Sequence, residues 1–170
     1  MSLRPLDRTD FPLVSTWLAR PHVARWWGTP RDLAGVEAEY GPCVDGADPT
    51  RLFLGLAGAH PLGFVQAYRL ADNLDYARAV DVAEGAGIDL LIGDEDRCGH
   101  GWGPRLIAAA LEVVWNLYPE VQRAMAGPSV DNTRSVRAFE KAGFQRARRV
   151  RVPGEDDDEL ILVCPRPTAG

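Results

Sequence analysis

One carboxylate, Asp89, interrupts the apolar segment AGIDLLIG (86–93), and soon after it CGHGWG (98–103) spaces Gly99, Gly101 and Gly103 at alternate positions. A carboxylate among apolar strand residues is costly to bury without a partner or a task, although a strand with one wet face would simply turn it to solvent. The glycine loop falls between a strand pattern and a helix pattern. Bare N–H groups and the helix dipole can receive a phosphate or pyrophosphate there, and a plain tight turn is the competing reading. The loop lacks the Gly-Lys-Ser/Thr ending of a Walker loop. It also does not follow the first strand of a repeating βαβ series, as a dinucleotide fingerprint does.

Other residue types invite a binding role. Trp26 and Trp27 adjoin Gly28; indoles belong to cores, but an indole face can also pack on a sugar ring or attract an ammonium. Asp72 and Asp75, in a polar stretch, and Glu155, Asp156, Asp157 and Asp158, in an acidic turn, offer partners for a polyamine or form solvated loops.

The elements that must position these residues follow from hydrophobic period and caps. Leu3–Leu6 reads as a strand, and 9–20 as a helix capped by Thr9 or Asp10. HVARWWG reads as a short helix ended by Gly28. TPRDLAGVEAEYG reads as a helix with Thr29 as cap, Pro30 at its first position and Gly41 past its end. Strands at 51–57 and 62–70 form a hairpin, and 72–84 is expected to be irregular. A strand holds Asp89, and a helix over 103–117 shows a stripe of Leu106, Ile107, Ala110, Leu111 and Val114. A strand at 121–127, a helix capped by Asp131 or Asn132 and stopped by Gly143, and a terminal hairpin around PGEDDD complete the chain. Adjacent strands mixed with strand–helix–strand crossovers predict an α/β (α+β) fold. Its mixed, mostly antiparallel sheet has about six to seven strands and helices on both faces. A parallel pair flanking the long helix would open a crevice at its carboxyl ends.

The 170 residues, 46% hydrophobic and 25% charged, predict a single domain over 1–170. A formal charge of −5 argues against nucleic acid and is compatible with a cationic partner. No apolar run reaches the roughly 20 residues of a membrane span, and MSLRPLDRTD has no signal-peptide core. Cys43, Cys98 and Cys164, with His22, His60 and His100, lack disulfide or metal-ligand spacing, so no metal and a cytoplasmic location are expected.

The glycine loop together with DNTRSVRAFEKAGF (131–144) resembles the acetyl-CoA-binding core of the GCN5-related N-acetyltransferases (GNAT). The match is carried by Gly101, Gly103, Asn132, Ser135, Phe139, Lys141, Gly143 and Phe144. WLARPHVARWWG, EAEYGP, PLGFVQAY, GIDLLIG and EKAGF extend the resemblance over nearly the whole chain. They are similar to the aminoglycoside 6'-N-acetyltransferases and, more distantly, to the hydroxylysine acyltransferases of siderophore synthesis.

The resemblance implies a GNAT fold and acetyl-CoA as co-substrate. Its pyrophosphate would lie on the loop Arg97, Cys98, Gly99, His100, Gly101, Trp102 and Gly103. Its pantetheine would meet Leu90, Leu91, Ile92 and Asn132, with Ser135, Phe139 and Lys141 nearby. Asp89 matches the general base or positioner of the acceptor amine, which is largely protonated at neutral pH and attacks the thioester only as free base. Trp26, Trp27, Tyr40, Asp75, and Asp156 or Asp157 match acceptor contacts.

The implied activity is acetylation of an aminoglycoside amine, the 6'-amino group first, by direct attack and with antibiotic resistance as the outcome. The implied assembly is a monomer or homodimer. Two departures stand out. Phe139 replaces a tyrosine that could act as acid, and Gly127 replaces an aspartate of the closer aminoglycoside enzymes. Cys98 occupies the usual Gln/Arg position, leaving Arg97 one residue early. An acetyltransferase for another amine or hydroxylamine (a siderophore precursor or peptide N-terminus) and a non-catalytic acetyl-CoA or aminoglycoside sensor are the rival readings.

Overall fold

The computed structural model describes residues 1–28, 32–82, 84–154 and 157–168. Among them, strands β1 (Ser2–Pro5), β2 (Arg51–Ala57), β3 (His60–Arg69), β4 (Ala86–Ile92), β5 (Arg123–Ala126), β6 (Gln145–Val150) and β7 (Glu159–Pro165) form one sheet, ordered β1-β2-β3-β4-β5-β7-β6. Every pairing is antiparallel except β4 with β5, which is parallel. The helices are α1 (Phe11–Leu18), α2 (Pro21–Ala24), α3 (Leu33–Val44), α4 (Leu74–Val80), α5 (Trp102–Leu117) and α6 (Thr133–Lys141).

The two-residue period of the strands divides the core. On β4, Ala86, Ile88, Leu90 and Ile92 pack on the side that holds the α5 stripe and the α6 residue Phe139. Leu91 joins Val14, Trp17 and Leu18 of α1 and Val36 and Tyr40 of α3 on the opposite face. Asp89 shares that second face by alternation. Leu106 and Ile107 of α5 are fully buried, each worth about 1.5–3 kcal/mol of apolar burial.

Several sequence expectations change. The helix at α1 follows a 3₁₀ turn, Arg8–Asp10, capped by Asp7, whose side chain accepts from Thr9 N–H. Asp10 does not cap α1, because its carboxylate binds the Arg4 guanidinium at 2.6 and 2.7 Å. Helix α3 starts at Leu33, with Asp32 accepting from Gly35 N–H; Thr29 and Pro30 lie outside the described residues. It runs through Gly41 and Pro42 rather than stopping there. A side chain at Gly41 would press on the Arg8 guanidinium at 3.2 Å, and Arg8 ties α3 down through Glu37 and Asp45.

The stretch expected to be irregular contains α4. Its Ala77 and Val80 bury against Leu70, Met125 and Ile161, and Asp81 ends it with a left-handed φ of 53°. That apolar anchor outweighs a polar composition.

Candidate active site

Strand β4 outruns its parallel neighbour. The β4–β5 register contains only Ala86↔Ala124 and Gly87↔Met125, so Ile88 to Ile92 line a splay between the strands. The direction of each backbone group in the splay follows from the ladder with β3. Leu70 N–H donates to Gly85 O, and Gly93 N–H donates to Leu62 O, both at 2.9 Å. With the regular register between them, odd-numbered β4 residues bond β3 while Ile88, Leu90 and Ile92 direct their N–H and C=O groups into the splay. Of the three β4 residues that the resemblance sets against the pantetheine, Leu90 and Ile92 direct their backbone groups into the opening and Leu91 faces β3. His22 Nε2 lies 3.0 Å from Ile92 O at the strand's end.

The glycine loop opens α5 beside this splay. Gly99 and Gly101 hold φ values of 82° and 80°, the left-handed region that glycine enters without cost, and a Cβ on either would meet nothing within 4 Å. Gly101 is the N-cap residue, and among the described residues no side chain caps the helix. The N–H groups of Gly101, Trp102 and Gly103 are therefore uncapped donors at the positive end of a long helix. Gly103 has a second duty: a Cβ there would sit 3.2 Å from Ala138 Cβ of α6.

Flanking residues take separate places. His100 is exposed, Trp102 carries Arg105 over its ring at 5.4 Å, and Arg97 lies 3.9 Å from Asp94. Arg97 lines a cleft of about 430 Å³ with Arg20, His22 and Asp94. Burial pushes the Cys98 thiol up, which keeps it protonated and a poor nucleophile. Asn132 caps α6, its Oδ1 accepting from Ser135 N–H at 3.2 Å. Phe139 is 4% exposed and packs edge-to-face on Phe144, while Lys141 is exposed at the helix end.

On the other side of β4, Asp89 lines a cleft of about 240 Å³ with Thr50, Gln66, Tyr68, Asn73, Tyr76, Gly127 and Glu159. Burial raises the Asp89 carboxyl to about 6, and a hydrogen bond with the Tyr68 hydroxyl pulls the other way. Burial first, then the charges of Asp89 and Glu159 with Tyr76, hold the Tyr68 phenol well above its ordinary value, so it stays a donor. Such a carboxylate is ionised at neutral pH yet basic enough to take a proton.

The expected acceptor residues divide. Trp27 is half-buried and its Nε1–H donates to the Tyr40 hydroxyl at 3.1 Å. Tyr40 does not form a pocket wall: it is 2% exposed, packs edge-to-face on Phe64, and accepts from Gln66 Nε2 at 3.3 Å. The pair thus stands behind Gln66, which does line the cleft. Trp26 lies apart under Arg25 at 4.6 Å. Asp75 points fully into solvent and pairs with Arg78, because its helical neighbour Tyr76 takes the inward direction. Asp157 is exposed and accepts from Ser129 Oγ at 3.4 Å; Ser129 in turn bridges to Glu159, which does line the cleft. Asp156 lies outside the described residues. Gln66, Tyr68, Asn73, Tyr76 and Glu159 were missed in the sequence; the alternation of β3, which sets Gln66 and Tyr68 on the Asp89 face, was the available signal.

Among the described residues, no three His, Cys, Asp or Glu side chains group as a metal site, and no helix is long and apolar enough to cross a membrane. Residues 7–152 match the family described as Acetyltransferase (GNAT) domain. Aminoglycoside N(6')-acetyltransferase type 1 of Klebsiella pneumoniae is 31% identical over 157 residues, 90% of this chain and 78% of that protein. A lysine N-acyltransferase of Mycobacterium sp. (strain MCS) is 28% identical over 143 residues, covering 84% of this chain and 58% of the relative. The crystal structure of an aminoglycoside acetyltransferase with coenzyme A and kanamycin superposes with a TM-score of 0.79 at 30% identity, over 97% of this chain and 94% of the other. With the splayed β4 and the uncapped glycine loop, these likenesses make the chain a member of the GNAT family, an acetyl-CoA-dependent acetyltransferase.

Proposed function

We propose that the protein acetylates an amine of an aminoglycoside, the 6'-amino group first, and so confers resistance to the drug. The observation that carries this reading is the placement of Asp89 and Leu90, adjacent on β4 but facing different ways. The Asp89 carboxylate looks into the acceptor cleft while the Leu90 N–H looks into the splay beside the glycine loop. The chain fits acetyl-CoA through the glycine-loop amides for the pyrophosphate, the β4 edge for the pantetheine, and the amide end of Asn132, whose oxygen is committed to its cap. Acetyl-CoA supplies an acyl group activated as a thioester. Asp89 holds the incoming ammonium, takes its proton and leaves a free amine. Leu90 N–H donates toward the carbonyl side of the splay. Phe139, buried and without a hydroxyl, supplies no acid.

A second reading, transfer to a lysine-type amine or hydroxylamine, is supported by the likeness to the lysine N-acyltransferase. Thiol release from acetyl-CoA, measured over aminoglycosides, hydroxylysine-type amines and peptides, tests both. Release that depends on an aminoglycoside is expected. Release with only the other amines would transfer the assignment to them, and release with none would leave a binding module.

A further inference from the structure

Glu159 begins β7 at the side of the cleft opposite β3, and its Oε2 accepts a 2.7 Å hydrogen bond from the Tyr76 hydroxyl. The carboxylate occupies space that a side chain at residue 127 would need. A Cβ built on Gly127 would collide with Glu159 Oε2 and fall 2.6 Å from the Tyr76 hydroxyl. The bare glycine therefore admits Glu159 to the cleft. Asp89 is held in a matching way by Tyr68, and the Tyr68 and Tyr76 rings pack edge-to-face with centroids 6.5 Å apart. Two carboxylates, each held by a tyrosine, thus line one small cleft with the neutral hydrogen-bonding groups of Gln66, Asn73 and Thr50.

We infer that Glu159 is the second cation-binding carboxylate of this cleft, and that the acceptor carries a second, non-reacting ammonium group which Glu159 holds while Asp89 receives the reacting amine. Tyr76 is a positioning residue, fixing the Glu159 carboxylate through its hydroxyl. The inference rests on the acetyltransferase reading of the cleft and narrows its substrate class to amines with at least two cationic nitrogens.

The test compares kanamycin, a polyamine, with methyl 6-amino-6-deoxyglucoside, which has a single amine. Thiol-release kinetics are combined with calorimetric titration of kanamycin into enzyme loaded with coenzyme A. Glu159→Gln should raise the KM and Kd for kanamycin about tenfold or more, the loss expected of one charged contact, with kcat within about twofold. The KM of the monoamine should stay unchanged. Glu159→Asp should recover part of the loss, and Tyr76→Phe should lose a smaller part. Gly127→Asp combined with Glu159→Ala and Tyr76→Phe should restore kanamycin binding, because both atoms that a Cβ at residue 127 would strike are then gone and the new carboxylate enters the space that Glu159 has left.

A Glu159→Gln enzyme that loses the polyamine and the monoamine equally, or loses neither, would reduce Glu159 to a lock between α4 and β7. If the unaltered enzyme releases no thiol with either amine, the aminoglycoside reading fails separately. The calorimetric comparison then still decides for or against Glu159.

Discussion

Gln66 and Asp89 stand opposite one another in the β3–β4 ladder, and the Gln66 carboxamide is tied back to the Tyr40 hydroxyl at 3.3 Å. Trp27 donates to the same hydroxyl at 3.1 Å, so one buried oxygen links the turn after α2, helix α3 and the wall of the cleft that Asp89 lines. Tyr40→Phe keeps the ring against Phe64 and removes that acceptor. The expected cost is about 1–3 kcal/mol of stability, since two donors lose a buried partner. The acceptor KM should rise while the acetyl-CoA KM stays constant. Denaturant melts and two-substrate kinetics measure both effects, and an unchanged acceptor KM would separate this network from the site.

Asp89→Asn tests the chemistry. General bases contribute about 10²–10⁴-fold, so kcat should fall by that order while acetyl-CoA binding persists. Only ionised Asp89 accepts a proton, and its carboxyl titrates at about 6, so kcat/KM of the native enzyme should rise with pH through that region. The variant should lack this limb, and its deficit should narrow at alkaline pH as the acceptor arrives deprotonated. A pH–rate profile with the same limb in both enzymes would remove Asp89 from the mechanism.

The same carboxylate should weaken the fold. Its pKa is raised from 3.8 to about 6 by burial, so the folded state retains a proton that the unfolded state releases earlier. The stability it contributes is complete below pH 3.8 and is lost as pH climbs toward 6, a difference of about 1–3 kcal/mol. Asp89→Asn should therefore raise the melting temperature at pH 7–8, and the gain should vanish below about pH 4. Equal gains at both ends would assign the effect to something other than ionisation.

Much of this arrangement was legible in local pattern. The AGIDLLIG run and the α5 stripe need only neighbours along the chain to be read, and local pattern leaves the α6 cap to Asp131 or Asn132, of which the structure takes Asn132. Cleft lining was harder, because it depends on which members of a face meet across strands. Gln66 and Tyr68 alternate correctly on β3, yet only the register with β4 brings them to Asp89. Selection by charge chose Asp75 over Tyr76, although adjacent helical residues point about 100° apart and the tyrosine faces in. Glu159 opens the strand that follows the acidic PGEDDD turn, and nothing in that local pattern marks its side chain as facing the cleft. The polar stretch at 72–84 hid α4 because Ala77 and Val80 supply most of its buried face.

The glycine loop yields the sharpest contrast, because its glycines serve different ends. Gly101 holds φ at 80°, with open space where a Cβ would lie, so a side chain there strains the backbone and stands over the uncapped N–H groups of α5. Gly103 meets Ala138 of α6 at 3.2 Å, so a side chain there also presses two helices apart. Gly101→Val should raise the acetyl-CoA KM about tenfold or more, equivalent to at least about 1.4 kcal/mol, leaving acceptor KM near its native value. Gly103→Val should combine weaker acetyl-CoA binding with a lower melting temperature from overpacking, about 1–3 kcal/mol. Coenzyme A titration alongside thermal melts distinguishes the two variants. A folded Gly101→Val protein that binds coenzyme A normally would make the loop a turn and nothing more.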